Sequence, residues 1–440
     1  MHSIHSQNLI FHIDVNSAFL SWTAVELLKK DPAFDIRSIP AIIGGDEKSR
    51  HGIVLAKSVS AKKYGIRTGE PVATAYKKCP FLHMEPPNHA LYHQRSQEMM
   101  RLLHTYTSDI EQVSVDECYM SFSPISHRFP SALEAARSIA DRIRNELGFT
   151  VNIGIAPNRL LAKMAIDFEK PDKVHTLFES EIPEKMWPLP VGDLFMVGKS
   201  SADRLEQLGI RTIGELANTD PDFLSVHFKS HGKTMWEFAN GIDNTALQTE
   251  YQDAKGIGNS TTLPADVKTS EEAYHILLGL SEQVAGRLRK AHQIAQTVTI
   301  EIKYNTFISC SRQTQLHTPA ATSGTIYECA CRLFNELWNG TPVRLLGIRT
   351  TKLLPEDAPI QLSLFDTAFS LTEDIPVPSD SDDHKPSHSE SAVKHTGDLE
   401  KQKKLEQAMD SIRQRFGKDA VQRGSLFNFS LTQCESKRKI

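Results

Sequence analysis

The run from Leu9 to Val15 reads Leu-Ile-Phe-His-Ile-Asp-Val, a short strand pattern whose apolar character ends at a carboxylate. A charged side chain at the end of such a strand is ordinarily a turn residue. About a hundred residues later comes Ser114-Val115-Asp116-Glu117-Cys118-Tyr119, flanked by Val113 and by Met120-Ser121-Phe122, again with strand character. Successive side chains of a strand point to opposite faces. Asp116 and Glu117 can therefore serve one site only where the chain bends, at a hairpin or a strand end. Three carboxylates at strand ends match what two hard divalent cations need, because Mg²⁺ takes oxygen ligands and keeps substrate phosphates as partners. Two such ions about 4 Å apart stabilise both the attacking and the leaving oxygen of an in-line phosphoryl displacement. Taken singly, each acid is more simply a turn residue, and the chemistry rests on the three together.

The remaining pattern is mixed. Ile42–Ile43, Gly52–Ala56, Thr150–Ile155 and Thr297–Tyr304 read as strands. Leu133–Leu147, Ala273–Ala291 and Ile326–Trp338 read as helices, and Arg204–Leu208 and Ile213–Ala217 as short helices around a turn at Gly209. This order predicts α+β domains rather than one long parallel sheet. A length of 440 residues suggests two to four of them. Residues 366–400 are rich in Ser, Pro and Asp and carry a net charge of −7 from nine acidic and two basic side chains. Such a segment cannot bury enough surface to fold and reads as a flexible linker. Residues 401–440 carry +6 from ten basic and four acidic side chains, with Leu405, Met409, Ile412 and Phe416 at the spacing of a short amphipathic helix ending at Gly417. The six cysteines have no metal-ligand spacing and read as free thiols of a reducing cytoplasm. No apolar run approaches the roughly 18 residues of a membrane span, and no signal peptide is expected.

Asp14-Val15-Asn16-Ser17-Ala18-Phe19 followed by Ser114-Val115-Asp116-Glu117 resembles the Y-family (translesion) DNA polymerases of bacteria, close to the polymerase IV branch. The resemblance continues in order through Gly52–Ala56 and Ala61–Arg67, then Gly154–Ala165 ending in Lys170-Pro171, then Leu208–Leu216, then Ile257–Leu263. It covers roughly residues 8–355 and implies a right-hand polymerase. Its ferredoxin-like palm would span 1–20 and 79–175, small fingers 21–78, a helix-hairpin-helix thumb 176–242, a linker 243–255 and an α+β little finger 256–355. The implied reaction is template-directed, low-fidelity addition of a deoxynucleotide to a primer 3′-hydroxyl with release of pyrophosphate, as in damage tolerance. Carried over residue by residue, Asp14, Asp116 and Glu117, with the Val15 carbonyl, would hold two Mg²⁺ ions. Lys62, Lys170 and Ser17 would contact the incoming dNTP, and Phe19 would be the steric gate against a ribose 2′-hydroxyl.

The sequence also departs from the family pattern. Lys62 stands where Arg is common, and it offers a point charge rather than a bidentate fork. Val59 stands where Tyr is common, Ala18 where an aromatic is frequent, and Cys118 where Ala is usual. In the thumb hairpin Met196 replaces an expected Gly, while Gly198 and Lys199 remain as candidate contacts to a DNA phosphate. With the linker and the basic end set aside, residues 1–365 carry a net −3. Primer-template DNA would then be held by local clusters such as Arg287, Arg289 and Lys290, or Arg344, Arg349 and Lys352. Gln361-Leu362-Ser363-Leu364-Phe365 has the form of a linear docking motif and resembles the sliding-clamp peptide of bacterial replication proteins. Residues 361–365, with Gln361, Leu362, Leu364 and Phe365 as anchors, are thus expected to tether a monomeric, cytoplasmic, membrane-free enzyme to a clamp. Two rival readings are a non-catalytic DNA- or clamp-binding relative and, from Gly44-Gly45-Asp46-Glu47, a nucleotide cyclase sharing the palm fold.

Overall fold

The structure is a computed structural model that describes residues 8–46, 52–250, 254–359, 391–417, 420, 421, 423 and 424, with 391–400 as backbone. The expected clamp peptide (Gln361, Leu362, Leu364, Phe365) and most of the acidic stretch lie outside the described residues. The chain forms two compact units, residues 1–251 and 252–440. Among the described residues no helix is long and apolar enough to cross a membrane.

In the first unit a five-stranded sheet runs in the order Ile110–Gln112, Glu117–Ser121, Ile10–Val15, Val151–Ala156, Val174–Thr176. The apolar run read from the sequence is its central strand, antiparallel to both neighbours. Helices His89–His104 and Ala132–Leu147 pack on the sheet through Tyr92, Met99, Leu103, Ala135, Ile139 and Ile143, against Phe11, Ile13 and Ile153. The strand–helix–hairpin–helix–strand order and the placing of the first strand between the hairpin and the last strand make this a ferredoxin-like layer. Helix Arg159–Ala165 follows the strand Val151–Ala156 and packs against it. That packing depends on Gly154, where a Cβ would stand 2.0 Å from the Ala162 carbonyl oxygen.

A separate three-stranded sheet joins Val54–Lys57, Ala41–Gly44 and His83–Glu85, so it takes in residues beyond position 78. Gly44 and Gly45 end one strand of its antiparallel pair, where a Cβ on Gly44 would meet Val72 and Met84 at 2.9 and 3.0 Å. Close packing in a different sheet from the carboxylates accounts for Gly44. The thumb-type hairpin consists of helices Lys199–Gln207 and Ile213–Ala217 about Gly209, with Thr212 and Glu215 forming a capping box on the second. Met196 adopts φ 70°, so the left-handed turn suited to glycine is kept without one.

The second unit packs helices Ser270–Lys290 and Ser323–Leu337 on an antiparallel sheet ordered Ser309–Ala320, Gln293–Tyr304, Val343–Pro355, Gly256–Val267. The C-terminal helix begins at Ser391, inside the stretch that composition assigned to a flexible linker, and ends at Phe416 before Gly417 at φ 99°. Extending a helix from an anchored segment is far easier than nucleating one, and the anchor is strong. Glu406, 3% exposed, accepts from the N–H of Ser323 at the start of a helix and pairs with Arg289 and Arg423. Asp410 binds Arg289 at 2.7 Å, and Arg413 and Arg423 bind Glu282 at 3.1 and 2.6 Å. The charged stripe of this helix docks, while Leu405, Ile412 and Phe416 of the apolar stripe are exposed. Removing the buried Glu406 carboxylate strands Arg289 and uncaps a helix. Glu406→Ala is expected to destabilise this unit by about 3 kcal/mol and to speed amide exchange over residues 401–416. Unaltered exchange there would mean that other contacts hold the helix.

Candidate active site

The chain bends where the adjacent acids required it to. Val113 and Ser114 N–H groups both donate to the Glu117 carbonyl, closing a tight turn between two strands. The Ser114 hydroxyl accepts from the Asp116 and Glu117 N–H groups and donates to Asp116 Oδ1 at 2.6 Å. Glu117 begins its strand opposite Asp14, and the Val15 N–H donates to the Asp116 carbonyl at 3.0 Å. The two strand ends, remote in sequence, are thus hydrogen-bonded neighbours.

A cleft of about 420 Å³ opens here, lined by Asp14, Val15, Ser17, Ala18, Phe19, Val59, Lys62, Asp116 and Lys170 among others. It gathers the residues that the sequence assigned to metal, nucleotide and sugar, with one exception, since Glu117 is not on its lining. Ser17 is exposed at φ 49°, turning the central strand into helix Ala18–Leu28. Phe19 is half-buried. Its ring stacks on Tyr92 with centroids 4.3 Å apart and meets His89 edge-on. Tyr92 is held in turn by Thr23, whose hydroxyl donates to the Phe19 carbonyl. Both packing and cleft lining therefore describe Phe19. Cys118 is buried, which pushes its thiol up to about 12 and makes it inert.

Each carboxylate has a counter-charge or donor of its own. Lys170 Nζ lies 2.6 Å from Asp14 and 3.0 Å from Asp167. Burial works to lower the Lys170 pKa, and the two carboxylates outweigh it and raise it. Lys163 Nζ lies 2.5 Å from Glu117 Oε2, and His12 Nε2 is 3.5 Å from the same atom. The Glu117 carboxyl is held down at about 2 by His12 and Lys163 against the opposing effect of burial. Burial lowers the His12 pKa, and 3.5 Å is long for a hydrogen bond. The nearer, charged Lys163 therefore carries most of the effect. Among the described residues no three acidic, histidine or thiol groups converge as a ready metal cage, because Asp14 and Glu117 are turned onto ammonium groups. The Lys170 ammonium on Asp14 is a stand-in cation. A donor set of hard carboxylate oxygens already compensated by positive charge suits a divalent ion of the Mg²⁺ kind.

Three supporting residues were not assigned roles from sequence. Asn152, fully buried opposite Asp14, donates to the carbonyls of Ile166 and Glu169 and accepts from the Lys173 N–H, which fixes the loop bearing Lys170. Lys163 and Ser114 hold Glu117 and Asp116. A buried Asn in an otherwise apolar strand was the available signal for the first.

In the hairpin, Gly198 is the exposed N-cap of its helix and Lys199 follows it, also exposed. In the second unit Arg349 is exposed on the polar sheet face, along a groove shared with Gly258, Ser260, Thr299 and Glu301. Arg287 is exposed and donates to the Gly258 carbonyl. Arg289 is corrected. It is 11% exposed and its guanidinium is taken up by Glu406, Asp410 and the Ala321 carbonyl, so it presents no free charge to DNA.

Family models match three stretches. Residues 13–167 match the impB/mucB/samB family, 254–364 its C-terminal domain and 179–210 the IMS family HHH motif. A curated protein of Clostridium acetobutylicum named DNA polymerase IV is 46% identical over 418 residues, 95% of this chain and 98% of that protein. The chain belongs to the impB/mucB/samB family, in the DNA polymerase IV branch of the Y-family polymerases. DNA polymerase IV 1 of Bacillus subtilis is a further relative of this branch, 36% identical over 98% of this chain and 95% of its own length. A solved Y-family DNA polymerase chimera, Dbh-Dpo4(243-245)-Dbh, matches with a TM-score of 0.69 at 21% identity, over 79% of this chain and 99% of that one. The Y-family fold, with palm, thumb and little finger, is the fold of this chain.

Proposed function

We propose that this member of the family is a DNA-directed DNA polymerase that extends primer-template DNA with dNTPs by two-metal phosphoryl transfer, at low fidelity and in the service of damage tolerance. The observation that carries the reading is the cleft in which Asp14, Asp116, Ser17, Phe19, Lys62 and Lys170 meet. Asp14, Asp116 and Glu117, with the Val15 carbonyl, would hold two Mg²⁺ ions. When bound, these supply Lewis-acid charge at the primer hydroxyl and the α-phosphate.

The chain's own residues do the rest. Lys170 and Lys62 line the cleft and offset the charge of a triphosphate, the electrostatic task that dominates phosphoryl transfer. Lys170 is the better placed, because Asn152 orders its loop. Ser17 turns the chain so that exposed backbone and hydroxyl face the same cleft. Phe19, backed flat by Tyr92, cannot retreat from a ribose 2′-hydroxyl, so it selects deoxynucleotides. Val59, 53% exposed at the cleft, offers no polar contact to the triphosphate. Gly198, Lys199, Arg287 and Arg349 remain the candidate phosphate contacts. The enzyme works as a cytoplasmic monomer, and residues 361–365 would tether it to a sliding clamp and raise its concentration at primer ends.

Primer extension with Mg²⁺ tests this. Asp116→Ala is expected to lower incorporation by about 10³-fold, and undiminished extension would refute the metal assignment. Phe19→Ala is expected to raise ribonucleotide incorporation relative to deoxynucleotide by about 100-fold, measured by single-nucleotide insertion. An unchanged ratio would return Phe19 to plain core packing.

A further inference from the structure

His12 sits two residues before Asp14 on the central strand and is fully buried. Neither of its ring nitrogens has a hydrogen-bond partner among the described residues. A ring needed only for packing would be better served by Phe or Leu, since burying unsatisfied polar atoms is unfavourable. Its polar neighbour is Glu117, whose Oε2 lies 3.5 Å from His12 Nε2. Lys163, on the helix that Gly154 lets approach the sheet, reaches the same oxygen at 2.5 Å. The imidazole also packs against the ring of its cross-strand neighbour Tyr119, with centroids 4.5 Å apart, and the Arg159 guanidinium lies over that tyrosine at 4.7 Å. The imidazole is thus packed in the core with one ring nitrogen near a single carboxylate oxygen.

We propose that His12 and Lys163 are positioning residues for Glu117, holding Oε2 from the protein side so that Oε1 is presented in one orientation to a divalent cation. This rests on reading Asp14, Asp116 and Glu117 as metal ligands. Outer groups of this kind orient a ligand and commonly set metal affinity by about 10- to 100-fold. An approach of the ring by about half an ångström turns the 3.5 Å contact into a hydrogen bond and satisfies its buried N–H. Lys163 adds the fixed charge that keeps the carboxylate ionised, and His12 adds direction. The pair also accounts for Glu117 standing off the cleft lining, because its side chain is drawn toward the protein rather than into solvent.

The test uses full-length protein with dideoxy-terminated primer-template and the matching dNTP, so that no turnover occurs, and Mn²⁺ binding followed by electron paramagnetic resonance. A parallel assay measures single-nucleotide insertion against Mg²⁺ concentration. His12→Phe and Lys163→Gln are each expected to weaken Mn²⁺ binding by about 10-fold and to raise the half-saturating Mg²⁺ concentration to match. His12→Gln keeps an N–H donor and is expected to recover most of the loss. A His12→Phe protein with an intact thermal transition but the wild-type Mn²⁺ affinity and Mg²⁺ dependence would reduce His12 to packing and overturn the proposal. Should His12→Phe not fold, Lys163→Gln decides alone, because that side chain is partly exposed and its loss leaves the core intact. Asp116→Ala separates the two readings. If it binds Mn²⁺ like the wild type, the metal site itself is wrong. If it loses binding while His12→Phe and Lys163→Gln do not, only the positioning role falls.

Discussion

The arrangement depends on one electrostatic constraint, the need to hold clustered carboxylates together at the ends of two strands. Like charges at such a junction repel, and burial adds to the cost of each. The fold answers with a cation or donor for every acid, Lys170 on Asp14, Lys163 on Glu117 and the Ser114 hydroxyl on Asp116. Much of the surrounding architecture serves these three pairings. Gly154 brings in the helix that carries Lys163, Asn152 orders the loop that carries Lys170, and the turn at Ser114 swings Asp116 and Glu117 to a common end.

The same logic joins stability to chemistry. A site already balanced by ammonium groups exchanges one kind of positive charge for another when it takes up cations, rather than creating a charge from nothing. Lys170, released from that duty, stands beside the place where a triphosphate brings its own negative charge. The second unit shows a related economy. Its polar sheet face is left open with Arg349, while the helical face is closed by the Glu406 network.

The central strand and its carboxylates were legible in the sequence because strand alternation and the position of an acid in an apolar run are local properties, whereas Ser17, Phe19, Lys62 and Lys170 were legible only through the family resemblance. Helices Ala132–Leu147, Ile213–Ala217, Ser270–Lys290 and Ser323–Leu337 were legible to within three residues of their ends, whereas Ala18–Leu28 and His89–His104 were not read from the sequence. The supporting layer was not legible. His12, Asn152 and Tyr92 look like ordinary core residues until register and burial place them beside a carboxylate, a loop or an aromatic gate. Arg289 shows the opposite error. In sequence it belongs to a basic cluster, and only the docking of a helix more than a hundred residues away shows its charge to be spent. The stripe of Leu405, Ile412 and Phe416 marked a helix and its end, but helical spacing does not say which face is buried. Residues 391–400 were read as linker from composition, which does not register that a helix can be propagated from an anchored neighbour.

The central claim is that Asp14, Asp116 and Glu117 form a divalent-metal site at the junction of the two strands. Crystals of the protein with primer-template DNA, a matching dNTP and Mn²⁺, measured at the manganese absorption edge, test it most directly. Two anomalous peaks about 4 Å apart, ligated by these three carboxylates with Lys170 withdrawn from Asp14, are the expected result. Peaks elsewhere, or a site in which Lys170 stays on Asp14 with the nucleotide bound, would contradict it.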